Sequence, residues 1–157
     1  LEQRRYQEKV VRRYETDADS VDLGDQIRHH FRGINPQCME ILQDMAQSFT
    51  QDITLNSIAD TYHFSPAYLS RMIRKETGYS FSEILNSMRL AEAVWLLRED
   101  SVKIGLLCEK SGFRDARYFS QVFKKAFGCS PGEFRKNAGQ QKSHSIKSIL
   151  ELIQEKK

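Results

Sequence analysis

The stretch "GFRDARYFSQVFKKAFGCSPGEFRK", residues 112 to 136, combines two turn signals, paired aromatic residues and a cluster of cationic side chains. A weaker copy of it precedes it in the chain. Aligning the sequence with itself places "HFSPAYLSRMIRKETGYSFSEI", residues 63 to 84, on this stretch, with an offset of 49 residues before the turn and 50 residues after it. Self-similarity at a fixed offset indicates a structural unit that is used twice.

Each copy is typical of a short helix, a tight turn and a longer helix. The predicted helices span about 55 to 62 and 66 to 77 in the first unit, and about 104 to 111 and 115 to 127 in the second. Gly112 suits a turn position with positive φ, and His63 occupies the equivalent place in the first unit. Ser65 followed by Pro66 is a helix start, and Asp115 is the matching N-cap of the second unit. The sequence therefore predicts two helix-turn-helix units.

The longer helix of each unit has one apolar face and one polar face. The apolar positions are Leu69, Met72 and Ile73, and Phe119, Val122, Phe123 and Ala126. The opposite stripes consist of Ala67, Ser70, Arg71 and Arg74, and of Arg117, Ser120, Gln121 and Lys124. In a major groove, Arg bridges guanine O6 and N7, and Gln bridges adenine N6 and N7. A single stripe of this kind is as easily a solvated helix face, but two matching stripes favour DNA reading.

The segment "SFSEILNSMRLAEAVWLLRED", residues 80 to 100, joins the two units. It starts on a capping box, as does "SPGE" at residues 130 to 133, and it contains no internal Gly or Pro. About 18 helical residues span roughly 27 Å, so one continuous helix can hold two recognition helices roughly 34 Å, or one DNA turn, apart. No stretch alternates as a strand does. We predict an all-α fold of about seven helices, with two helix-turn-helix subdomains, a long linker helix and a helical N-terminal linker.

The two ends of the chain differ from its middle. Residues 1–38 are predicted to be a linker or part of an upstream region, residues 39–137 a tandem helix-turn-helix domain, and residues 138–157 a tether with a C-terminal amphipathic helix. Because the chain begins with Leu1, we expect it to be a piece of a longer protein. The tail "IKSILELIQEKK" has helical apolar spacing and either docks as a last helix or frays.

Composition excludes several other classes of protein. The chain has 157 residues, 39% hydrophobic and 29% charged, with no membrane-spanning run and no signal region. Its three cysteines form no CxxC pair, and its four histidines lack the spacing of metal ligands. We therefore expect no metal and no cofactor. The cysteine pattern also argues against a disulfide framework, so we expect a reducing, cytoplasmic location. No nucleophile, base and orienting group recur at useful spacing, which argues against an enzyme.

At these motifs the chain resembles the C-terminal DNA-binding domain of the AraC/XylS family of bacterial transcription regulators. The glycine-phenylalanine, tyrosine-phenylalanine-serine, phenylalanine-lysine-lysine and serine-proline elements of residues 112 to 136 are similar to the second signature of that family, and the resemblance covers about 39 to 137. It implies base-reading positions at Pro66, Ala67, Ser70, Arg71, Ala116, Arg117, Ser120 and Gln121. The residues assigned to the DNA backbone are Arg74, Lys75, Ser80, Arg114, Lys124 and Ser130.

The expected function is sequence-specific binding of double-stranded DNA in transcription regulation. RNA polymerase and an upstream sensor or receiver domain are expected partners, and no membrane contact is expected. The alternative is an all-α adaptor that binds protein, in which the basic clusters only increase solubility. The sequence does not specify the operator, the regulated genes, the input signal, activation as against repression, or the oligomeric state.

Overall fold

The computed structural model describes residues 22–98, 102–137 and 144–155. Every regular element within these ranges is an α-helix, which confirms the all-α prediction. The helices are α1 (Leu23–His30), α2 (Pro36–Ser48), α3 (Leu55–Thr61), α4 (Pro66–Thr77), α5 (Phe81–Leu97), α6 (Ile104–Lys110), α7 (Ala116–Phe127), α8 (Pro131–Lys136) and α9 (Ile146–Glu155). The seven predicted helices correspond to α2 through α8.

The two helix-turn-helix units are α3–α4 and α6–α7, with the predicted turn residues. His63 has φ 60° and Gly112 has φ 97°. The Ser65 hydroxyl accepts a hydrogen bond from the Tyr68 N–H at 3.1 Å, which caps α4. The Asp115 carboxylate accepts from the backbone N–H groups at the start of α7. Capping satisfies N–H groups that have no partner within the helix, so the sequence defines the start of both helices locally.

The linker helix α5 has 17 residues and is therefore about 25 Å long. Its predicted capping box is present, because Ser80 and Glu83 each accept from the backbone N–H of the other. At the start of α8, the structure shows the first half of such a box, in which Ser130 accepts from the Glu133 N–H at 3.2 Å. The linker is thus one continuous helix, as predicted.

Two hydrophobic cores lie along α5. Its N-terminal half, including Ile84 and Met88, packs into a first core with α1 to α4. Its C-terminal half, including Leu90 and Leu97, packs into a second core with α6 to α8. Because the same rigid helix contributes to both cores, the two units are held in a fixed relation.

Helix α1 lies in the segment that the sequence assigns to a linker. The packed part of the chain nevertheless includes it, since Leu23, Ile27 and Phe31 are buried in the first core. Its remaining positions are mostly charged or polar. The apolar pattern was therefore too weak to predict that this helix packs against the core. The rest of the predicted linker, residues 1 to 21, lies outside the described ranges.

The tail forms α9, which is one of the two alternatives that the sequence left open. Ile146, Ile149 and Leu150 are fully buried, and Ile153 is partly buried. Ile146 and Leu150 belong to the first core, whereas Ile149 belongs to the second. Most of the predicted tether, residues 138 to 143, is not among the described residues.

The three cysteines of the chain are free thiols in buried or partly buried positions. Cys38 is buried, Cys108 and Cys129 are partly buried, and burial raises the pKa of the Cys38 thiol to about 11. Across the described ranges, no helix is both long and apolar enough to cross a bilayer. The same ranges contain no group of three metal-ligating side chains.

Candidate nucleic-acid interface

The two recognition helices, α4 and α7, each bury one face and expose the other. Leu69 and Ile73 are fully buried on α4, and Phe119 and Phe123 are buried on α7. All eight predicted base-reading residues are exposed: Pro66, Ala67, Ser70, Arg71, Ala116, Arg117, Ser120 and Gln121. The structure therefore presents these residues as two surface stripes, one on each unit.

Both recognition helices end in the same way. Gly78 follows α4 with φ 82°, and Gly128 follows α7 with φ 77°, which is the left-handed conformation that glycine adopts at little cost. The Gly78 N–H donates to the Arg74 carbonyl and the Gly128 N–H to the Lys124 carbonyl. Equivalent residues of the two repeats, an N-cap and a C-terminal glycine, thus define where each recognition helix starts and ends.

Two tyrosines that the sequence reasoning missed lie at the start of these helices. Tyr68 is 47% exposed and Tyr118 is 44% exposed. Tyr68 packs against Phe64 of its turn with ring centroids 5.0 Å apart, and Tyr118 contacts Phe113 at 6.2 Å. The signal for them was available, because they are equivalent in the two repeats and fall outside the apolar stripe. Each is exposed and adjoins a stripe residue in the chain, Ala67 before Tyr68 and Arg117 before Tyr118.

The residues assigned to the DNA backbone have different surroundings. Lys75 and Lys124 are exposed near the ends of their helices. Arg74 lies 3.6 Å from the Glu83 carboxylate, and Arg114 lies 3.5 Å from Asp52. The Arg114–Asp52 pair is exposed on both sides, and such pairs contribute little to stability, so a phosphate can compete for Arg114. The Arg74 side chain is also more than half exposed, but its partner Glu83 is nearly buried.

Ser80 and Ser130, assigned to the DNA backbone as well, are partly buried. Each hydroxyl oxygen accepts from a backbone N–H of the helix it caps, α5 or α8. Their first role in the structure is therefore to define where these helices begin. The sequence pattern had already indicated this role through the capping motifs.

A junction joins the turn of the second unit to the first unit. A Cβ atom on Gly112 would lie 2.5 Å from the Phe49 carbonyl oxygen and 2.8 Å from the Thr50 Cα. The Arg89 guanidinium donates to the Phe49 carbonyl at 2.9 Å, and it lies 5.9 Å from the centre of the Phe113 ring. The backbone of the second unit therefore packs directly on the loop between α2 and α3.

Side chains reinforce this junction. Asn86, on α5, donates to the Tyr118 hydroxyl of α7 at 2.9 Å. Arg89 is buried, which lowers its pKa, but a guanidinium stays protonated at neutral pH. The Arg135 guanidinium of α8 donates to the Leu97 carbonyl at the end of α5 at 3.0 Å. Polar contacts on both halves of α5 thus limit rotation of one unit relative to the other.

These two exposed stripes on rigidly joined helix-turn-helix units define a DNA-binding domain of a transcription regulator. A family model described as a helix-turn-helix domain matches residues 58–137, about half of the chain. The chain belongs to the AraC/XylS family of helix-turn-helix transcription regulators.

Named relatives and solved structures agree with this assignment. The transcriptional activator RhaR of Pectobacterium atrosepticum is 32% identical over 126 residues, which is 80% of this chain and 41% of that protein. The C-terminal domain of AraT, a response regulator from Geobacillus stearothermophilus, is 38% identical with a TM-score of 0.63, over 67% of this chain and 88% of that domain. The C-terminal domain of the response regulator yesN from Fusobacterium nucleatum is 31% identical with a TM-score of 0.59, over 63% and 98%.

The chain spans less than half the length of the RhaR relative. The similarity to solved response-regulator structures is to their C-terminal domains.

Proposed function

We propose that this domain reads double-stranded DNA by placing α4 and α7 in two successive major-groove segments on one face of the duplex. The observation that supports it best is the pair of exposed stripes, held together by α5 and by the Gly112 junction. A recognition helix reads base edges from its N-terminal residues. Both stripes begin at the capped N-terminus of their helix.

Within this proposal, the residues of the DNA interface have two roles. The base-reading residues are Pro66, Ala67, Ser70 and Arg71 on α4, and Ala116, Arg117, Ser120 and Gln121 on α7. The residues that contact the DNA backbone are Arg74, Lys75, Ser80, Arg114, Lys124 and Ser130. Phosphate contacts orient the protein, whereas base contacts provide the sequence information.

The context of the domain forms a further part of the proposal. We assign DNA reading to residues 39–137, with an upstream sensor or receiver domain preceding residues 1–38 and the tail following from residue 138. The names of the similar proteins, a transcriptional activator and response regulators, support activation and a two-domain arrangement. RNA polymerase contact, a cytoplasmic location and the absence of catalysis belong to the same proposal.

Selection of bound duplexes from random DNA, followed by titration of the winning sequence at several salt concentrations, tests the function. We expect the chain to bind with an affinity that falls steeply as salt increases, because phosphate contacts release counterions. An adaptor that binds only protein would enrich no sequence and show no salt slope. That outcome would remove DNA reading from this chain.

Two substitutions separate base reading from phosphate contact. Arg71→Ala is expected to cost about 1 to 3 kcal/mol on the selected site and to relax the preference at one base position. Lys124→Ala is expected to weaken binding to all sequences and to lower the salt slope by about one unit. Arg28→Ala on α1, which removes an exposed cation outside both units, is the control. A changed base preference with an unchanged slope for Lys124→Ala would contradict these roles.

A further inference from the structure

The tail helix α9 contacts three other helices of the molecule. It packs most extensively against α5, and it also packs against α1 and α7. Its buried residues enter both cores, since Leu150 lies in the first and Ile149 in the second. Helix α9 therefore crosses the boundary between the two units, as α5 does.

The two ends of α9 lie near the ends of the two recognition helices. At its start, the His144 ring packs 5.0 Å from the ring of Phe127, the last residue of α7. Near its other end, Gln154 accepts a hydrogen bond of 3.5 Å from the hydroxyl of Tyr79, two residues beyond α4. Burial, with a smaller contribution from Arg98, lowers the pKa of His144, so the ring packs as an uncharged aromatic group at neutral pH.

The start of α9 also depends on α1. The Ile146 N–H donates to the Gln26 side-chain oxygen at 2.8 Å, and the Ser148 N–H donates to the Ser145 hydroxyl at 3.2 Å. His30 of α1 lies close enough to Lys147 and Glu151 for their charges to affect its pKa, which burial lowers. Helix α1 thus contributes to the capping and packing of α9.

We propose that α9 is a second brace between the units, which positions α4 and α7 for simultaneous contact with DNA. This inference rests on the proposed two-segment reading. A protein that holds two binding elements at a fixed separation engages the second at a high effective concentration, and this advantage is lost when the separation fluctuates. Docked α9 supports that separation by packing on α7 and by entering both cores, as α5 does.

The experiment compares binding to the full selected site and to a duplex that retains only one of its two segments. Ile149→Ala combined with Leu150→Ala truncates one buried α9 side chain in each core, whereas Ile146 remains in the first core. We expect the affinity for the full site to fall about 10-fold or more, while the affinity for the single segment changes less than about twofold. The control is Glu151→Gln, on the exposed face of the same helix, which should leave both affinities unchanged. Binding of the unsubstituted chain to both duplexes tests the proposed function separately.

Equal losses on the full site and the single segment, with circular dichroism showing a folded chain, would overturn the brace. If the double variant does not fold, His144→Ala combined with Gln154→Ala is used, because it removes the two end contacts and leaves the buried isoleucines in place. We expect this variant to lower the ratio of full-site to single-segment affinity about threefold or more. An unchanged ratio in a folded variant would likewise overturn the inference.

Discussion

Replacing Gly112 by alanine is expected to lower the free energy of unfolding by about 3 kcal/mol or more, since it combines positive φ with a steric clash. Its φ of 97° is a conformation that side chains rarely adopt. The added Cβ would also lie 2.5 Å from the Phe49 carbonyl oxygen and 2.8 Å from the Thr50 Cα. Both atoms belong to backbone, so relief requires the turn to move away from the first unit.

Gly128 is a matched control for this substitution. It has φ 77°, but an added Cβ would meet no atom within 4 Å. Gly128→Ala should therefore cost only about 1 to 2 kcal/mol, the penalty of the left-handed conformation alone. Urea denaturation of both variants measures the difference. Equal costs for the two substitutions would show that the junction does not constrain the second unit.

The local features of the fold could be predicted because short-range chemistry determines them. Proline after Ser65, the Asp115 cap, and the Ser80 and Glu83 box each act within one helical turn, and the structure shows all of them. Because the two units are repeats, a turn or cap predicted in one unit supported the equivalent prediction in the other. The exposure of the stripe residues followed from helical periodicity in the same way.

The contacts between distant segments could not be predicted in this way. Nothing near Arg89 in the sequence indicates its partner, yet its side chain donates a hydrogen bond to the carbonyl of Phe49, 40 residues earlier in the chain. Gln26 of α1 accepts a hydrogen bond from the N–H of Ile146 at the start of α9, 120 residues later in the chain. Periodicity identifies an apolar face, but it does not identify the surface that covers it. The surfaces on which α9 docks and the Gly112 junction therefore emerged only from the structure.

The largest effect on DNA binding is expected from inserting five base pairs between the two recognised segments. A DNA turn is about 10.5 base pairs, so this insertion moves the second segment to the opposite side of the duplex. Helix α5 is continuous from Phe81 to Leu97, and the Gly112 junction and α9 oppose rotation about it. The two units cannot then contact both segments, and affinity should fall on the order of 100-fold, toward that of a single unit.

A mobility-shift titration compares the parent site with two altered duplexes. Five base pairs added outside the two segments form the control, which should bind like the parent site. Eleven base pairs added between them restore the face of the duplex but separate the segments by roughly 37 Å more. That distance exceeds the length of α5, about 25 Å, so this duplex should bind as weakly as the five-base-pair insertion.

Equal binding to the parent site and to both internal insertions would mean that one unit alone engages DNA. Recovery with eleven base pairs would mean that the units separate along the duplex, which the shared cores of α5 and α9 oppose.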